Sequence, residues 1–287
     1  MTDLTGLEDL LILLLAALVP ALIYLSWVRR AERFETEAWG PLLTAFFYGA
    51  LFATFIAAIL EAVLLAAGTA FSQAYPGPEF LFLNGNSTIG TFFLVLVIAP
   101  FIEEALKASG VVRVGDRFRL VSDGLVFGAA VGLGFGFFET FIYGLGAFAT
   151  GGLVAGLGLI VVRSLSSVLL HGSTTAMFGY GYAENRLNQR TGYAGGYYLL
   201  AVAMHAGFNA LASLGAIVAF LGFSTSLADY ASLIGLLLVF VYAFAAIEHA
   251  RTLIHKTDLP PTGGRGKIVF RRPPAVRSSR SPNHRYP

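Results

Sequence analysis

The sequence predicts an all-α polytopic membrane helix bundle of about seven transmembrane helices, with the N-terminus outside and the C-terminus in the cytoplasm. Three observations predict it. The 287 residues are 56% hydrophobic and only 13% charged, against about 25% charged in a soluble domain. The apolar runs exceed the ~20 residues that a helix needs to cross a bilayer and are too long for barrel strands. The positive charges fall in alternate loops, as the positive-inside rule demands.

The runs lie at roughly 7–28, 42–67, 89–112, 123–148, 153–180, 193–221 and 229–250. Asp3, Glu8 and Asp9 precede the first, without Lys or Arg. That is the wrong flank for a secretory signal peptide, so the run reads as a retained first span. Arg29, Arg30 and Arg33 separate spans one and two, Arg113, Arg117 and Arg119 spans three and four, Arg186 and Arg190 spans five and six. The chain is basic again from Arg251 onward. Of the 19 Lys and Arg residues, only Lys107 and Arg163 fall inside spans, and the loops at 68–88, 149–152 and 222–228 hold none. Residues 1–256 therefore read as the bundle. Residues 257–287, rich in Pro, Arg, Ser and Gly without an apolar period, read as a disordered basic cytoplasmic tail, a topology anchor drawn to anionic lipid. Cysteine is absent, which excludes disulfides and thiolate metal sites. Any metal must be held by His and carboxylate.

Glu103, Glu104 and Lys107 interrupt the apolar run that begins at Phe92. A charge near the bilayer centre costs at least ~2.5–3.5 kcal/mol on insertion scales, so such residues are usually there for a task. On a helix Glu103 and Lys107 share a face four apart, and Glu104 reaches Lys107 at three. A lysine beside two carboxylates supports one as an anion while the other feels a like charge, which is what acid–base chemistry uses. In the fourth span Gly128, Gly132 and Gly136 make a smooth face for close helix contact, and Glu139 continues it into the bundle. Arg163, Ser167 and His171 recur every four residues in the fifth span, and His205 and Asn209 do so in the sixth. Arg163 reads as neutralising a carboxylate or holding substrate backbone. Glu61, Glu248 and His249 stand near span ends and read as interface residues.

These motifs match a known family. Glu103-Glu104-Ala105-Leu106-Lys107 is similar to the EExxK motif of the PrsW family of intramembrane proteases, and Phe135-Gly136-Phe137-Phe138-Glu139 to its FxxxE motif. A run beginning at Asp123 and Gly124 precedes the second motif as it does in the family. His171 and His205 fall where the family places its two later histidines. The chain resembles the family over roughly Phe92 to Asn209. The wider clan includes the CAAX-processing and bacteriocin-immunity membrane proteases, whose second motif ends in His where this chain has Glu139. That departure favours the PrsW branch, while His205 to Asn209 is similar to the clan's HxxxN pattern. The resemblance implies a protease-like core at about 89–221 and an intramembrane endopeptidase of a prokaryotic cell membrane. It further implies a membrane-anchored protein substrate and no nucleic-acid partner.

Peptide hydrolysis needs a base, an oxyanion donor and an acid for the leaving amine. Glu104 is the expected base, with Glu103 as the ion-pair partner of Lys107. His205 with Asn209 would stabilise the oxyanion, and His171 would orient or donate. A metal, zinc by its chemistry, would take His171, His205 and Glu139 as ligands, with a further Glu as base. The family is described as metalloprotease-like and its clan neighbours look metal-free. No HExxH helix is present, so the reading leans against an obligatory tight zinc and keeps the metal open. The rival classes are a non-proteolytic scaffold of the same clan and a proton-coupled transporter, since intramembrane Glu and His also relay protons. At ~1.5 Å per residue, Glu103, Glu104 and His171 come out about 13–15 Å from the inner boundary, His205 about 18 Å and Glu139 about 24 Å. One shared polar cavity is expected despite that mismatch.

Overall fold

The computed structural model describes residues 4–34 and 36–260, so the expected tail from residue 261 onward lies outside the described residues. Among these the secondary structure is helical, without strands. Helix α1 (Leu4–Arg29) is followed by α2 (Trp39–Phe47), which passes through a π-turn at Tyr48–Ala53 into α3 (Thr54–Ala74). Helix α4 (Thr88–Phe93), a second π-turn (Leu94–Ile98) and α5 (Ala99–Val114) run on in the same way. Then come α6 (Val121–Ser164), α7 (Ser167–Leu187), α8 (Tyr193–Ala212), the short α9 (Leu214–Phe220) and α10 (Thr225–Thr257).

Five stretches are long and apolar enough to cross a membrane, or six if α8 and α9, bent by 66°, count as one broken span. The expected seven runs differ from this chiefly in Val121–Leu187. This single stretch of 67 residues covers two expected spans. At ~1.5 Å per residue it holds about 100 Å of helix, and it is not straight. Gly152 has φ 72°, a conformation open to glycine and costly for other residues. Beyond it the chain doubles back, so that Gly156 packs against the Gly144 carbonyl and Phe148.

The first arm of α6 is the centre of the bundle, buried without interruption from Ser122 to Phe137. Small residues explain how. The expected glycine face lies against α7, where a methyl group on Gly132 would stand 2.0 Å from the His171 carbonyl oxygen. On another face, a methyl on Gly134 would stand 1.9 Å from the Phe46 carbonyl of α2. Backbone thus meets backbone on two sides of one helix, which is how helices associate when lipid removes the hydrophobic drive.

The basic connections gather at one end of the bundle. Asp116, between α5 and α6, pairs with Arg186 at the foot of α7. Asp258, capping α10, accepts from the backbone N–H groups of Arg33 and Phe34 between α1 and α2. Helix α7 runs past the expected end of its span at 180, to Leu187. Counted from Leu187 and from the start of α6 at Val121, His171 and Glu139 lie about 24 Å and about 27 Å along their helices. For His171, the expected depth mismatch came from ending the fifth span too early.

Gly134→Ala should destabilise the protein by about 1–3 kcal/mol or more, because the added carbon meets backbone that cannot yield. Gly146→Ala, with nothing within 4 Å of the new methyl, should melt close to wild type. Thermal unfolding of the two variants in detergent checks the difference.

Candidate active site

Lys107 lies in α5 with no solvent exposure. Its ammonium donates to Glu104 Oε1 at 2.7 Å and to His171 Nδ1 at 2.8 Å, and stands 4.5 Å above the centre of the Phe135 ring. Glu104 Oε1 also accepts from Thr174 Oγ1 of α7 at 3.1 Å and from His205 Nδ1 of α8 at 2.9 Å. Glu103 stands further off, with Oε2 3.7 Å from the ammonium. The expected pairing is therefore exchanged: Glu104 is the close partner of Lys107. Both spacings are within reach on a helix, and the donors from α7 and α8 draw Glu104 to that side.

Glu139 is joined to the same group from α6. Its Oε2 accepts from His171 Nε2 at 2.8 Å and from Arg163 Nη2 at 2.6 Å. The guanidinium is steadied by Ser167 Oγ at 3.0 Å and by the Tyr143 ring, whose centre is 4.0 Å away. Arg163 thus neutralises a carboxylate, as one of its two expected roles required. Asn209 donates its amide to the Val95 carbonyl at 2.9 Å.

A cavity of about 340 Å³ opens among α3, α5, α6, α7 and α8. Glu103, Glu139, His171, His205 and Asn209 line it, while Glu104 is buried behind it. Glu61 of α3 lines it too, with Oε1 buried and without a hydrogen-bond partner among the described residues. Sequence reasoning placed Glu61 at a span end. In the structure Trp39–Ala74 is one stretch of 36 residues, so Glu61 lies well inside it. The signal that could have found it was an acidic residue with apolar sequence continuing on both sides.

Glu103 Oε2 is likewise buried and without a hydrogen-bond partner. It lies 4.0 Å from His171 Nδ1 and 3.9 Å from His205 Nε2. In each ring, the nitrogen facing Glu103 is the one not bonded to a carboxylate. The opposite nitrogens are bonded to Glu139 and Glu104, the arrangement that orients metal-binding histidines. Glu103, His171 and His205 form a group whose donor atoms lie within 4.8 Å of one another and could hold a metal ion. A tetrahedral ion with bonds of ~2.0–2.1 Å spaces its donors about 3.3–3.4 Å apart, so modest side-chain movement closes the set. Taking His171 Nδ1 would displace Lys107, which keeps Glu104. Charge agrees: Glu61, Glu103, Glu104 and Glu139 outnumber Lys107 and Arg163 around this site. Glu139, the carboxylate ligand expected from sequence, is not one of the three converging donors; Glu103 takes that place.

The family described as PrsW family intramembrane metalloprotease matches residues 37–247. The chain belongs to that family. None of the curated proteins and none of the solved structures matches it. Membership of the PrsW family makes this a multi-pass membrane protein of a metalloprotease family, with the bilayer as its surroundings and protein as the class of substrate. The buried Glu103, His171 and His205 could hold a metal ion.

Metal-stripped protein in detergent should bind one zinc ion at this place. His205→Ala should remove the binding, and Glu104→Gln should weaken it by ~10–100-fold through loss of the carboxylate that orients His205. Zinc titration against a competing chelator measures both.

Proposed function

We propose that this protein hydrolyses a peptide bond in a membrane-anchored protein substrate, with Glu103, His171 and His205 holding a divalent metal at the cavity wall. The observation that carries the reading is the convergence of these three on the unpartnered Glu103 Oε2 in an otherwise apolar bundle. When bound, the metal supplies Lewis acidity and a water that ionises more readily. Glu104 holds the His205 ring through Nδ1, and Glu139 holds the His171 ring through Nε2. Arg163 holds the Glu139 carboxylate in place.

The proton acceptor belongs among the carboxylates that line the cavity. Glu104, the acceptor expected from sequence, gives Oε1 to three donors and lies outside the lining. Glu61 faces the cavity without an ion-pair partner among the described residues, so its carboxylate is free to take a proton from water and pass it to the leaving amine. Asn209, committed to Val95, positions backbone beside the cavity.

The same reading includes the topology. Counting the two arms on either side of Gly152 as separate crossings, and α8 with α9 as one, brings the spans to seven. The gathering of the basic connections at one end supports an N-terminus outside and a C-terminus in the cytoplasm. A cysteine introduced at residues 72–86 should react with an impermeant thiol reagent added outside, and one near Arg117 should not.

Cleavage of a reconstituted single-span substrate tests the chemistry. Glu103→Gln, His171→Ala and His205→Ala should each lower turnover by on the order of 10²-fold or more, and Glu61→Gln should do so with KM little changed. His249→Ala, at the foot of α10, should cleave normally. Near-normal cleavage by Glu103→Gln and His205→Ala alike would remove the assignment. Chelation should abolish activity and zinc should restore it. Activity that survives chelation would favour the metal-free form of the reaction.

A further inference from the structure

A second group of carboxylates stands apart from the cavity, at the end of the bundle that carries the basic connections. Glu32 and Glu37, in the link between α1 and α2, and Asp123, in the first turn of α6, place donor oxygens within 4.8 Å of one another. Asp258 joins them from the foot of α10, near enough to act on Glu32 electrostatically. Glu32, Asp123 and Asp258 each use one oxygen to hold a turn of backbone. Glu32 Oε2 accepts from the Glu37 N–H at 2.9 Å. Asp123 Oδ2 accepts from the Arg119 and Leu120 N–H groups at 2.6 and 3.0 Å. Asp258 Oδ2 accepts from Arg33 and Phe34.

The oxygens left over decide the matter. Glu32 is 5% exposed and Asp258 3%. Glu32 Oε1 and Asp258 Oδ1 are both buried and have no hydrogen-bond partner among the described residues. An unsatisfied buried carboxylate oxygen is costly, and the cost falls when a cation takes the place of lost water. Arg119 and Arg117 act on the Glu37 side of the group. Two guanidinium groups against four carboxylates leave negative charge in excess.

We propose that Glu32, Glu37 and Asp123, backed by Asp258, bind a hard divalent cation that ties the α1–α2 link to the head of α6 and the foot of α10. The donors are all oxygen, which suits calcium, magnesium or manganese and disfavours zinc. The donor oxygens lie within 4.8 Å of one another, close enough for one ion with oxygen ligands at about 2.3–2.6 Å to reach all three. Bound there, the cation fastens together three segments that are distant in sequence. It does so well away from Glu103, His171 and His205, so its effect is on stability and does not depend on the protease reading.

Thermal unfolding of the full chain in detergent, freed of divalent ions, tests this. Millimolar CaCl₂ or MgCl₂ should raise the melting temperature by several degrees over NaCl of equal ionic strength. The rise should persist in His171→Ala, which lacks a ligand of the first site, and should vanish in Glu32→Gln and Asp258→Asn. Should Glu32→Gln fail to fold, Glu37→Gln, from the less buried member, serves in its place. No rise with either cation, a rise matched by NaCl, or a rise unchanged in all these variants would overturn the proposal. So would stabilisation by acid alone, which would mean that protons and not a cation balance the group.

Discussion

The ammonium of Lys107 is the contact on which the site depends. It is wholly buried, in a chain whose surroundings give an unpaired charge nowhere to go. It therefore has to be met by anions and lone pairs from other helices. Glu104 comes from its own helix, His171 from α7, and His205 and Thr174 reach it through Glu104. Removing the ammonium would leave Glu104 buried without its counter-charge, and removing Glu104 would strand the ammonium. This mutual dependence fixes the relative rotation of α5, α7 and α8 more tightly than apolar packing in lipid could. The Glu139–Arg163 pair repeats the device on the other side of His171.

Such short polar contacts require backbones that approach closely, and the glycines of α6 provide that. With a carbon on Gly132 at 2.0 Å from the His171 carbonyl, no other residue could stand there without moving α7 away. Any such displacement would lengthen the His171–Glu139 bond at the same time. The glycine face and the glutamate that continues it are thus one feature: the first sets the distance and the second uses it. The same logic explains why Glu139 and His171 meet although they belong to antiparallel arms of Val121–Leu187.

The residues that converge were legible in the sequence because charge and imidazole are expensive in lipid and stand out against it. Their division of labour was not. Glu103 and Glu104 differ only by one step around the helix, and both spacings reach Lys107. The choice between them is made by Thr174 and His205, which come from helices whose rotation no local pattern states. Glu61 was misplaced because its helix extends past the apolar run from which its end was read. Glu139 as a metal ligand was a reasonable expectation from composition, and the structure engages it with Arg163 and His171, leaving Glu103 at the centre of the converging set. The reversal at Gly152 was legible as a gap between two runs, though not as one nearly unbroken helix turning back on itself.

The two π-turns show how a polar cavity can be opened in such a bundle without leaving backbone unsatisfied. A π-turn shifts the hydrogen-bond ladder and frees a carbonyl locally, and such turns concentrate at functional sites. Inside a membrane every freed group must find a partner. In the Tyr48–Ala53 turn the Gly49 carbonyl accepts from the Thr54 backbone N–H and also from the Thr54 hydroxyl, the latter at 3.0 Å. The Leu94–Ile98 turn finds a partner in Asn209, which donates across from α8 to Val95. Thr54, Val95 and Asn209 all line the cavity. An asparagine four residues after His205 is therefore required by the backbone opposite it before any contact with substrate is considered. Two of the polar side chains that line the cavity, Thr54 and Asn209, are thus the ones that bond carbonyls of the irregular turns.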